Sequence, residues 1–125
     1  MQSINQLFST LQNGQRAGKY LVSVQKSKMN KEILNLMLIE GLIIAYGPSF
    51  EKYKLVVCLK YKNKEPVIKR IQQISSAGKR VYLKAKKLQK LPSFSFLILS
   101  TSEGLMTNQK AAKLNLGGEA FCQIF

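Results

Sequence analysis

Residues 100–104 (Ser-Thr-Ser-Glu-Gly) gather three hydroxyl side chains and a glycine into five positions. Hydroxyls without a base are recognition groups. Each can donate to a phosphate or accept from a ribose 2′-OH or a base edge, and the glycine lets another backbone come close. Nucleophilic use would need a general base nearby. The sequence has no histidine and no aspartate, and its six acidic residues are all glutamates, with no spacing that suggests a pair. This leaves no His-based triad and no carboxylate pair for two-metal phosphoryl transfer. Cys58 and Cys122 have no second Cys or His beside them to complete a metal site, and they read as small apolar residues on strands. Gly117-Gly118 lacks the spacing of a phosphate loop. No catalytic residue, cofactor, metal or small-molecule substrate is therefore expected.

Charge points the same way. Twenty Lys plus Arg face six acidic residues, a formal net charge of +14 over 125 residues. A polyanion relieves such self-repulsion, because each Lys or Arg placed on a phosphate releases condensed counterions. Lys84, Lys86, Lys87 and Lys90 form the densest basic stretch, and Lys86 and Lys87 are taken as phosphate contacts. A membrane partner is not expected. No apolar run reaches the roughly 18 residues of a span, and no long basic amphipathic helix is evident. Residues 1–8 carry neither a basic signal start nor an Arg-rich presequence, so the chain is expected to act in the compartment where it is made.

The elements that must position these groups follow from hydrophobic period. Ile4, Leu7, Phe8 and Leu11 share one helical face, with Ser3 as cap and Gly14 as stop. A strand over 20–24 follows. Ser27 caps a second helix carrying Met29, Ile33, Leu36 and Met37, which Gly41 ends. Strands are expected over 42–46 and 53–61, the latter with Leu55, Val57, Leu59 and Tyr61 on one face. Over 67–74 the helical period of Ile68, Ile71 and Ile74 conflicts with β-branched enrichment, and periodicity leaves the choice open. Residues 75–79 break the pattern and mark a boundary, giving an N-terminal α/β half over 1–75 and a β-rich half over 76–125. In the second half, strands are expected over 80–83 and 94–99. A basic helical turn falls within 84–91, and Pro92-Ser93 punctuates it. A loop over 100–104 leads to Thr107 as cap of a short helix with Ala111, Ala112 and Leu114, and Gly117-Gly118 turns the chain into a last strand over 119–125. The class is α+β.

Ile98-Leu99-Ser100-Thr101-Ser102-Glu103-Gly104-Leu105-Met106-Thr107, followed by Ala111-Ala112, Leu114, Leu116-Gly117-Gly118-Glu119 and Cys122, resembles the C-terminal signature of the small-subunit ribosomal protein eight family. The resemblance extends through Leu11-Gln12-Asn13-Gly14-Gln15, Ser27-Lys28, Glu40-Gly41-Leu42-Ile43, Leu59-Lys60-Tyr61, Ile71-Gln72-Gln73-Ile74-Ser75, and Gly78 with Arg80-Val81-Tyr82. It implies an N-terminal α-β-α-β-β-β half and a mainly β C-terminal half with a short helix, and it favours a strand over 67–74.

What it implies about function is a structural constituent of the small ribosomal subunit. Such a protein would bind the central domain of small-subunit rRNA and support assembly beside neighbouring small-subunit proteins. Carried over residue by residue, direct RNA contacts fall on Ser100, Thr101, Ser102 and Gly104. Support comes from Ser75, Gly78, Arg80, Tyr82 and Glu119. Three positions depart from the family's pattern: Glu103 where a non-acidic residue is usual, Ser95 where glycine is typical, and Ala77 in place of a proline. The alternative is a free-standing RNA-binding translational regulator that uses the same loop. A nuclease or RNA-modifying enzyme is opposed by the missing histidine and aspartate. Lysine outnumbers arginine 17 to 3, which fits an AT-rich coding genome. With the departures, this points to an organelle-encoded mitochondrial ribosomal protein, with bacterial cytoplasm or a plastid as alternatives.

Overall fold

The computed structural model describes residues 2–92 and 94–125, and side chains from residue 4 onward. Ser3 lies within the first helix, which already begins at Gln2, and so does not occupy the cap position expected for it; the reading of Ser93 as punctuation lies outside what is described. The protein is α+β and forms two compact units, Met1–Arg70 and Ile71–Phe125.

The first unit runs α1 (Gln2–Arg16), β1 (Leu21–Gln25), α2 (Lys28–Ile39), β2 (Ile43–Pro48) and β3 (Lys54–Leu59), then a small hairpin of β4 (Tyr61–Lys62) and β5 (Glu65–Pro66). Its antiparallel sheet has the order β1-β3-β2. Alternation along β3 buries Leu55, Val57 and Leu59 into a core shared with Leu7 and Leu11 of α1 and with Ile33, Leu34 and Met37 of α2. Ser27 caps α2 as expected, its Oγ accepting from Asn30 N at 3.0 Å.

Gly14 does not stop α1. It lies inside the helix, where an added Cβ would come within 2.6 Å of Val22 Cγ1, so glycine here allows close helix–strand packing. The helix ends instead with Gly18 in the left-handed region at φ 72°. Helix α2 ends in the same way through Gly41 at φ 78°. Lys19 N donates to Gly14 O at 2.9 Å, and Leu42 N to Met37 O at 2.8 Å. Both close the Schellman pattern that satisfies the last carbonyls. The strand expected over 53–61 is broken after Leu59, and Tyr61–Lys62 pairs with Glu65–Pro66 around Asn63 and Lys64, both at positive φ.

The second unit runs β6 (Ile71–Gln73), β7 (Tyr82–Leu83), α3 (Ala85–Gln89), β8 (Leu97–Thr101), β9 (Gly104–Thr107), α4 (Asn108–Lys113) and β10 (Gly118–Ile124). Strand β10 is central. It pairs antiparallel with β8 on one edge and with β6 and β7 on the other, and β9 extends the sheet from β8. Strand structure within 67–74 is confined to residues 71–73. Because these pair with residues 122–124 of β10, they belong to the second unit, and the two units meet in sequence at Arg70/Ile71 rather than at residue 75. Val67 and Ile68 are not strand. Ile68 is fully buried, and its N donates to Gln15 Oε1 at 3.0 Å.

The strand expected over 94–99 starts three residues late. Ser95 N donates to Pro92 O in a turn, and Phe94 stands exposed. Buried Asn108 holds the chain where the strand begins, its Oδ1 accepting from Leu97 N at 3.0 Å and its Nδ2 donating to Ser95 O at 3.1 Å. Thr107 caps α4 by accepting from Lys110 N at 3.3 Å. Leu88, Leu97, Leu99, Met106, Ala111 and Ala120 form the core between the sheet and helices α3 and α4.

Candidate nucleic-acid interface

The hydroxyl segment is a tight hairpin rather than an open loop. Ser100 and Thr101 finish β8, Gly104 opens β9, and only residues 102 and 103 form the turn. Gly104 makes the reversal possible, because its φ of 107° is one that side-chain-bearing residues rarely adopt. A Cβ built on Gly104 would meet nothing within 4 Å, so this side of the turn is open to an incoming group. Thr101 Oγ1 donates to Gly104 O at 2.9 Å and accepts from Glu103 N at 3.2 Å. Its hydrogen is thus committed inside the turn, and a lone pair remains for a ligand donor. Ser102 and Glu103 are exposed at the tip.

Pairing through β10 assembles the rest. Tyr82 of β7 lies opposite Glu119, Glu119 lies opposite Ser100, and Ser100 lies opposite Leu105. Directly paired residues share a face, so Tyr82, Glu119 and Ser100 project together. The next row is Leu83, Gly118, Thr101 and Gly104. This row needs glycine at 118: an added Cβ would collide with the carbonyl oxygen of Ser100, and one on Gly117 would come within 2.7 Å of Leu83 O. Tyr82 is 66% exposed, its ring presented to solvent. Glu119 Oε2 is buried, and among the described residues no group donates to it. A buried acceptor without a donor costs free energy, which a hydroxyl or amino group from a partner would recover.

Ser75 is a clamp rather than a contact. It is fully buried, and its Oγ accepts from Val81 N at 2.9 Å. Beyond it, Ser76 and Lys79 exchange backbone hydrogen bonds around Ala77 and Gly78, and Val81 O accepts from Ala120 N at 2.9 Å. This arrangement ties the segment leading to Tyr82 onto β10. Gly78 and Arg80 are exposed on the segment, and neither the φ nor the surroundings of Gly78 demand glycine.

Helix α3 buries Leu88 and turns its lysines outward. Tyr82, Leu83, Lys84, Lys86, Lys87 and Lys90 line a groove of about 440 Å³. Lys86 and Lys87 are therefore brought beside Tyr82, together with Lys84 and Lys90. The fold thus joins a basic groove with an aromatic wall to a row of polar side chains ending at the hydroxyl hairpin. Phosphates fit the first part, and 2′-hydroxyls or base edges fit the second. Sequence reading missed the structural demand at Gly118 and the anchoring by Asn108. The Gly-Gly pair carried a signal for the first, whereas nothing local marked the second.

Among the described residues no three His, Cys, Asp or Glu gather as a metal would require. In the same residues no helix is long and apolar enough to cross a membrane.

A family model described as Ribosomal protein S8 matches residues 2–125. The chain belongs to the ribosomal protein S8 family. Among its relatives, Small ribosomal subunit protein uS8 of Anaplasma marginale (strain Florida) is 41% identical over 127 residues, covering 98% of this chain and 96% of the relative. Small ribosomal subunit protein uS8c of Trieres chinensis is 40% identical over 128 residues, covering 98% and 97%. The uS8 of Vibrio campbellii is 38% identical over 126 residues, covering 97% and 95%. S8 membership makes the protein a ribosomal component, not an enzyme.

Proposed function

We propose that this S8 protein is a structural constituent of the small ribosomal subunit, that it binds the central domain of small-subunit rRNA through its second unit, and that it supports subunit assembly. The observation that carries the RNA reading is the cross-strand row Tyr82–Glu119–Ser100, which lies between the basic groove of α3 and the hairpin of Thr101 and Gly104. Cations at one end bind any phosphate. Tyrosine and carboxylate in the middle suit a splayed base or a ribose, and the hairpin admits a backbone at close range. In this reading Ser100, Ser102 and Gly104 touch RNA directly, Thr101 both shapes the turn and accepts from RNA, and Lys86 and Lys87 hold phosphates. Ser75, Gly78 and Arg80 support the strand that carries Tyr82. Neighbouring small-subunit proteins complete the surroundings.

Footprinting of the purified protein on intact small-subunit RNA tests this. Protection confined to one irregular helix of the central domain is expected. Protection elsewhere, or none, overturns the reading. We further propose a mitochondrial, organelle-encoded origin, supported by the 17-to-3 excess of lysine over arginine. Its synthesis inside isolated mitochondria, with cytosolic ribosomes inhibited, is the expected result. Recovery of the chain from plastids or a bacterial cytoplasm would replace that assignment.

A further inference from the structure

A second cavity, of about 430 Å³, lies wholly within the first unit. Asn5, Ser9 and Thr10 of α1 line one part of it, residues 23–25 of β1 another, and Asn30 of α2 and Lys54 of β3 complete it. Asn30 is 1% exposed, and its Nδ2 donates to Gln25 O at 2.8 Å. That bond fixes the orientation of the amide, because only the nitrogen end can donate to a carbonyl. The other end, Oδ1, is buried and has no donor among the described residues. A buried amide oxygen in a polar cavity calls for an N–H or O–H from outside the chain.

Two further observations select the source. Strand β1 is an edge of its sheet. Leu59 N donates to Tyr20 O and Lys26 N donates to Tyr53 O, so even-numbered residues bond to β3 while the backbone groups of Leu21, Ser23 and Gln25 face away from it. The donation from Asn30 Nδ2 to Gln25 O agrees with that parity. Second, in a chain of net charge +14 this groove is nearly neutral. Its one cation, Lys54, already sits 3.2 Å from Glu51. RNA gains its affinity from unpaired cations, whereas an extended peptide offers uncharged N–H and C=O groups at the spacing of a sheet edge.

We propose that this groove seats an extended, uncharged polypeptide segment of a neighbouring protein, which adds to β1 at Ser23 and gives an N–H to Asn30 Oδ1. The inference rests on the ribosomal reading, because the neighbour is another small-subunit protein. The test places the photo-crosslinker p-benzoylphenylalanine at exposed position 9 and irradiates purified small subunits carrying the variant. The expected product resists ribonuclease and maps to one contiguous segment of one protein. A synthetic peptide of that segment then shifts the amide resonances of Ser23 and Gln25 in the free chain, and Ser23→Pro, which removes an outward N–H, weakens it tenfold or more without changing the melting curve. A ribonuclease-sensitive product, no product, or peptide binding indifferent to Ser23→Pro overturns the proposal. Failure of the chain to co-sediment with small subunits removes the ribosomal reading itself, and the proposal with it.

Discussion

Thr101 shows how one hydroxyl can serve shape before contact. Its two hydrogen bonds, to Gly104 O and from Glu103 N, lie in an exposed turn, so Thr101→Ala should cost about 0.5–1.5 kcal/mol of stability. RNA affinity should fall further, because the turn that presents Ser102 loosens as well. Thr101→Ser keeps the oxygen and should restore both. Calorimetric melting beside fluorescence titration separates the two effects, and equal affinity of all three proteins would detach the hairpin from binding. Gly104→Val should harm by backbone strain, not collision, since the space around it is empty and its φ is positive. Glu103 stands exposed at the tip, and Glu103→Lys should tighten RNA binding and steepen its salt dependence, as titrations at two salt concentrations would show. Cys122 is buried, which pushes its thiol up from 9.0 to about 12. At pH 8 it stays protonated, so iodoacetamide should label half-buried Cys58 first, as mass spectrometry of the native protein would reveal.

At the scale of elements, β10 is the component on which the site depends. Gly118→Ala forces a methyl against the Ser100 carbonyl and should destabilise the second unit by about 1–3 kcal/mol through overpacking. Hydrogen exchange should report the loss at Tyr82 and Ser100 together, and a change confined to β10 would contradict the shared row. Much of this architecture was legible in the residues. The cap at Ser27, the stop at Gly41, the cap at Thr107 and the buried face of Leu55, Val57 and Leu59 are local signals, and each stands as read. What was not legible depended on partners distant in sequence. Gly14 reads as a helix stop because nothing nearby announces Val22 packing against it. Residues 67–74 carry two periods because only 71–73 find a partner, in residues 122–124. The hydroxyls of residues 100–102 were visible, but the alignment of Ser100 with Tyr82 and Glu119 follows from strand pairing alone.

For the whole molecule, six carboxylates cannot neutralise twenty cations, so binding to RNA must depend steeply on salt. With about five to eight phosphates neutralised, affinity should fall by orders of magnitude between low and moderate salt, and a flat response would remove the electrostatic argument. Replacing Lys86 and Lys87 by Ala should weaken cognate and unrelated RNA about equally, because phosphate contacts carry no sequence information. A change in preference between RNAs would assign these lysines to a different kind of contact. The position of β10 also sets an order in time. Residues 118–124 are synthesised after every other strand of their sheet, yet they lie between them. A nascent chain therefore carries Tyr82, the α3 lysines and the hydroxyl hairpin without the strand that aligns them. If this row is the RNA site proposed above, a polypeptide still being made has not yet assembled it, and it grips RNA through the row only once residues 118–124 are in place.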